Sequence, residues 1–85
     1  MNELESLKKK IKYRSSYRGT KEMDILLSAF TAEIVAGLSL EELKKLDEFL
    51  NCNDEDIQNF YSNEIPIPLF EEKKILDLFR GYKKK

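Results

Sequence analysis

Arg18, Gly19 and Glu22 place a planar fork of N–H donors, a backbone without a side chain and a carboxylate close together in the stretch "YRGTKEMD". Such a set suits recognition of another protein. Arginine grips a carboxylate or carbonyl, glycine admits a second backbone, and glutamate supplies the complementary acceptor. Tyr17, Lys21 and Asp24 flank the three and are the candidates for the rim of the same protein-binding patch. A structural account competes with this one. Gly19 as the N-cap of the next helix, with Glu22 three residues on folding back to the Gly19 N–H, makes half a capping box. That account explains Glu22 and leaves Arg18 an ordinary surface residue, so both readings stand at this point.

Other chemistry is limited by what the chain lacks. There is no histidine, which removes Ser-His-Asp and Cys-His nucleophile pairs and every imidazole metal ligand. Cys52 is the single cysteine; alone it forms neither an internal disulfide nor a thiolate zinc site, and it reads as a small buried hydrophobe. Gly19, Gly37 and Gly81 lie too far apart for a dinucleotide fingerprint or a P-loop. A calcium loop begun at Asn51 has Asp56 where glycine is needed and Ser62 where a bidentate glutamate belongs. The expectation is a binding protein, not an enzyme, with no catalytic residue, no metal and no cofactor held tightly by itself.

The elements that must position the patch are helices. Leu4, Leu7 and Ile11 recur at helical spacing, with Lys8, Lys9, Lys10 and Lys12 on the outer face. Met23, Leu26, Leu27, Phe30 and Ile34 mark a central helix, widened by Ile25, Ala29 and Ala32 and predicted to end at Gly37 as a left-handed cap. "LSLEEL" predicts a third helix with Ser39 as N-cap, Glu42 completing a capping box, and Leu43, Leu46, Phe49 and Leu50 buried. Asn53 is the expected N-cap of a fourth, which buries Ile57 and Phe60. After the extended "IPIP", Leu69, Ile75, Leu76 and Phe79 predict a fifth that stops at Gly81. Residues 1–85 therefore read as one small all-α domain, a bundle of five short helices with its core at about 4–80 and a basic tail at 81–85.

Charge is unevenly placed in a chain of 85 residues with a formal net charge of −1. Residues 1–21 carry seven basic and two acidic side chains, residues 22–72 two and thirteen, and residues 73–85 six and one. The acidic middle repels phosphates, and no helix-turn-helix spacing or aromatic set reads bases, so nucleic acid is not the expected partner. The bland expectation is solvated helix faces with mutually attractive ends; electrostatic docking to a protein is the alternative. No apolar run approaches the roughly 20 residues that span a bilayer. With "MNELESLKKKIK" lacking an apolar signal core, the expected location is cytoplasmic.

Arg18-Gly19-x-x-Glu22 at the head of the central helix, followed by "LSLEELKKLDEFLNCNDEDIQNF", resembles the flavinylation factors of the succinate dehydrogenase assembly-factor family. The likeness runs from about Leu7 to Phe79. It departs at Phe60, where the family commonly has tryptophan, and at Asn63, where glycine is usual. The resemblance implies a five-helix assembly factor that binds the flavoprotein subunit of succinate dehydrogenase, or of the related fumarate reductase. It further implies that this factor promotes covalent attachment of FAD to that subunit, which itself carries the cofactor. On the same basis Arg18, Gly19 and Glu22 are the partner-binding residues. A helical adaptor or antitoxin-like protein with no flavin role is the competing expectation.

Overall fold

A computed structural model describes residues 2–16 and 18–82. Five α-helices follow one another, α1 Glu3–Ser16, α2 Lys21–Ile34, α3 Leu40–Leu50, α4 Asp54–Asn63 and α5 Lys73–Gly81, and no strand occurs among the described residues. Each start has a local cause. Thr20 is extended and its side-chain oxygen accepts the Met23 N–H at 3.2 Å, so α2 begins one residue later than a Gly19 cap requires. Ser39 and Glu42 form the expected capping box of α3: the Ser39 N–H donates to Glu42 at 2.8 Å and the Glu42 N–H donates to the Ser39 hydroxyl at 3.3 Å.

The ends differ more from expectation. α2 passes into a 3₁₀ turn, Val35–Gly37, and no glycine has positive φ, so Gly37 is not a left-handed cap. At the end of α4 the left-handed residue is Glu64 (φ 55°), one place beyond Asn63, with the Glu64 and Ile65 N–H groups donating back to the Phe60 and Asn59 carbonyls. Leu69 is not part of α5 at all; it stands in the preceding turn, fully exposed. Residues 83–85 of the basic tail lie outside the described residues.

Every helix contributes to one core: Ile11 from α1, Leu27 and Phe30 from α2, Leu43, Leu46 and Phe49 from α3, Ile57 and Phe60 from α4, and Ile75 and Phe79 from α5. Phe79 is its hub. Its ring centroid lies 4.9 Å from that of Phe30 and 5.2 Å from that of Phe49, distances at which tilted aromatic pairs attract beyond simple area burial. Truncating a ring so enclosed typically costs about 3–5 kcal/mol. The apolar stripe of α2 is narrower than its composition suggests, because Ile25 and Ala32 face out.

Candidate functional site

Lys10, Arg14 and Arg18 recur every four residues, on and just beyond one face of α1, and this face is turned toward α3 and the α3–α4 junction. Lys10 Nζ lies 3.3 Å and Arg14 Nε 3.5 Å from the Asp47 carboxylate, and Arg14 also donates to Asn51. The basic N-terminal segment and the acidic middle are thus partly stitched together within the chain. Lys10 belongs to this seam; Lys8, Lys9 and Lys12 are not paired among the described residues.

Arg18 completes the seam. Its Nε donates to Asp54 Oδ1 at 2.7 Å, and Nη2 lies 2.5 Å from the same oxygen. Nη1 donates to the carbonyls of Arg14 at 2.9 Å and Leu50 at 2.8 Å, and Nη2 to that of Cys52 at 3.3 Å. A guanidinium has five N–H donors, and four of them are committed to hydrogen bonds within the chain, with the Nη2–Asp54 ion pair beside them. The side chain is only 9 % exposed. The expectation of an ordinary surface residue is therefore corrected: within the chain Arg18 is a clamp that ties the end of α1 to the turn between α3 and α4.

The same carboxylate explains Gly19. Asp54 Oδ2 accepts the Gly19 N–H at 2.7 Å, and a Cβ at residue 19 would lie 3.1 Å from that oxygen, a tight contact that the carboxylate would have to ease by a few tenths of an ångström. The close approach that glycine permits is made by the chain's own α4. Glu22 does not fold back on Gly19. It sits in the first turn of α2, exposed, with no side-chain partner among the described residues.

The clamp holds the α2 N-terminus as a platform. Lys21 and Glu22 stand beside Ile25, Leu26, Gln58, Tyr61 and Ser62, which together line a shallow depression between α2 and α4. Ile25, expected in the core, is 38 % exposed there. Asp24 turns the other way, accepting from the Ser28 hydroxyl at 3.2 Å while that hydroxyl also reaches the Ser15 carbonyl of α1. Gly19, Lys21 and Glu22 are thus brought together, Arg18 lies beneath them, Asp24 faces away, and Tyr17 lies outside the described residues. Asp54, Ile25 and Gln58 were missed. The acidic start of α4 in "DEDI" was visible, but nothing local pairs it with an arginine 36 residues earlier.

Cys52 is half-buried, not enclosed. Burial first, and the Asp56 and Glu48 charges second, push its thiol above its ordinary value, which makes it a poor nucleophile at neutral pH. Among the described residues no group of three or more His, Cys, Asp or Glu side chains is arranged to hold a metal, and no helix is long and apolar enough to cross a membrane.

Comparison with known proteins places this geometry in a context. The family model described as "Flavinator of succinate dehydrogenase" matches residues 9–83. The chain is 32% identical over 83 residues to "Succinate dehydrogenase assembly factor 2-A, mitochondrial" of Drosophila mojavensis, covering 95% of this chain and 53% of the relative. It is 31% identical over 82 residues to "Succinate dehydrogenase assembly factor 2, mitochondrial" of Dictyostelium discoideum, covering 96% and 58%. With "FAD assembly factor SdhE" of Acetobacter pasteurianus it shares 30% over 70 residues, 82% and 62% of the two chains. The chain spans little more than half the length of the curated relatives it matches. No solved structure matches it.

Proposed function

The chain belongs to the family of flavinators of succinate dehydrogenase, and from that premise we propose that it binds the flavoprotein subunit of that enzyme and promotes covalent attachment of FAD to it. The related fumarate reductase subunit is a second partner of the same chemistry. The observation that carries the reading is the division of labour in the Arg18–Glu22 motif. Arg18 and Gly19 are locked to Asp54, while Glu22 and Lys21 stay exposed on the platform they brace. A platform fixed before binding loses little conformational entropy when a partner docks.

Such a factor is not itself the flavoenzyme. The start of α4 carries Asp54, Glu55 and Asp56, where a dinucleotide pyrophosphate needs open N–H groups and positive charge. The Gly19 N–H is already spent on Asp54. The acidic start of α4 and the occupied Gly19 N–H do not suit a pyrophosphate, which supports a reading in which the flavin is carried by the partner. The factor acts by preferring the partner conformation in which the accepting side chain and the flavin lie in reacting geometry; each ~1.4 kcal/mol of such preference shifts that population tenfold.

The test is to incubate apo flavoprotein subunit with FAD, with and without this protein, and measure protease-resistant flavin fluorescence. The yield rises with the protein present. Glu22→Ala removes an exposed charge at the centre of the patch without touching the core, so stability stays within ~0.5 kcal/mol while affinity falls about tenfold or more. Unchanged flavin yield with the wild-type protein refutes the proposal and favours an adaptor with no flavin role.

A further inference from the structure

The depression between α2 and α4 carries its own account of what it can receive. Lys21 and Glu22 lie one turn before Ile25 and Leu26 on α2, and Gln58, Tyr61 and Ser62 share one face of α4 across from them. Its volume of about 390 Å³ is at the low end for a ligand pocket and suits one long side chain. Ile25 is 38 % exposed and Leu26 8 %, and with the Tyr61 ring, whose centroid is 4.8 Å from that of Phe79, they give it an apolar surface. The Tyr61 hydroxyl donates to the Tyr82 carbonyl at 2.8 Å, so its proton is already spent. The Gln58 amide nitrogen donates to the Ser62 hydroxyl at 2.8 Å, which orients the amide and leaves its carbonyl oxygen without a partner among the described residues. The Glu22 carboxylate is also without one. Two open acceptors, one on each helix, therefore flank an apolar surface.

From this arrangement we infer that the depression receives an arginine side chain of the flavoprotein subunit; the inference rests on the function proposed above and names what meets the α2 platform. A guanidinium has donors only, set in a planar fork that bridges two acceptors at once. Its methylene stem and flat face lie well on Ile25, Leu26 and the Tyr61 ring. A lysine ammonium is a compact, strongly hydrated charge and loses more on entering such a surface. A carboxylate would bring the Glu22 carboxylate and the Gln58 carbonyl nothing to accept. Lys21 sets the register. Its ammonium has no ion pair among the described residues and lines the same opening one residue before Glu22, so the arginine is accompanied by a carboxylate on the Lys21 side. Opposite charges in a fixed order reject a segment that carries two like charges.

The experiment treats the saturated complex of the full chain and the purified apo flavoprotein subunit with phenylglyoxal, which modifies arginine, and maps the subunit's arginines by mass spectrometry. One arginine that reacts in the free subunit is protected in the complex. Affinity is measured in parallel for Ile25→Ala, which trims the apolar surface, and Gln58→Met, which keeps the length and removes the acceptor. Each weakens binding about fivefold or more and moves the thermal midpoint by no more than a few degrees. Replacing the protected arginine by alanine weakens binding of the wild-type chain about tenfold and that of Glu22→Ala far less, since both changes remove one contact. Three results overturn this inference alone: no protected arginine, a protected arginine whose loss adds in full to Glu22→Ala, or Ile25→Ala and Gln58→Met binding within about twofold of wild type while Glu22→Ala binds weakly. Wild-type protein that does not bind the subunit overturns the functional reading and this inference with it.

Discussion

Replacing Asp54 by alanine tests the clamp directly. The substitution removes the acceptor of the Gly19 N–H at 2.7 Å and of Arg18 Nε at 2.7 Å, together with the paired charge of a guanidinium that is 9 % exposed. Breaking a fully buried ion pair by removing one partner costs about 3–5 kcal/mol. Here the cost is lower, since Asp54 is 27 % exposed and Arg18 keeps three carbonyl acceptors. About 2–3 kcal/mol is the expected loss, against a total of roughly 4–13 kcal/mol for a chain of this size. In urea the midpoint falls with the slope unchanged, and the thermal midpoint drops by about 8–20 °C. A double-mutant cycle with Arg18→Ala isolates the pair: the double variant is less destabilised than the sum of the single ones by about 1.5–3 kcal/mol. Additive effects, or a loss below ~0.5 kcal/mol for Asp54→Ala, would refute the clamp.

Gly19→Ala forces its new methyl group to 3.1 Å from Asp54 Oδ2, so stability falls by about 1 kcal/mol in urea titration, and most of that loss disappears in the Asp54→Ala background. The Lys74 ammonium first, and the Ser39 N–H second, hold the Glu42 carboxyl below its ordinary value of 4.5. Because the folded pKa is the lower one, the stabilisation is present above the unfolded value and is lost as pH falls through the folded one. Glu42→Gln therefore lowers stability near neutrality without changing its slope there and flattens stability against pH below about 4.5; a profile parallel to wild type in acid would show that the interaction carries no weight.

The legible part of this protein is its local part. The third helix was readable to its first residue because Ser39 and Glu42 satisfy one another three positions apart, with no help from the rest of the chain. Periodicity likewise gave Leu27, Phe30, Leu46, Phe49 and Phe79 as core, since a helix carries its buried face in its own spacing. Helix ends were less legible. Whether Gly37, Asn63 or a neighbour turns left-handed depends on where the following chain must go, and Glu64 takes that conformation although its type does not favour it.

The motif around Arg18 shows the boundary most clearly. Its residue types announced a binding site, and the family it resembles is the one to which the chain belongs. Which of those residues turn inward was decided by Asp54, 36 positions away, whose carboxylate takes up Arg18 and leaves little room for a side chain at residue 19. The sequence by itself determined the helices, most of the core and the place of the motif, because these follow from interactions three to four residues apart. Only the tertiary structure decided that Arg18 works inward, that Ile25 faces out and that Leu69 stands free, because a side chain's partner across the fold leaves no periodic trace along the chain.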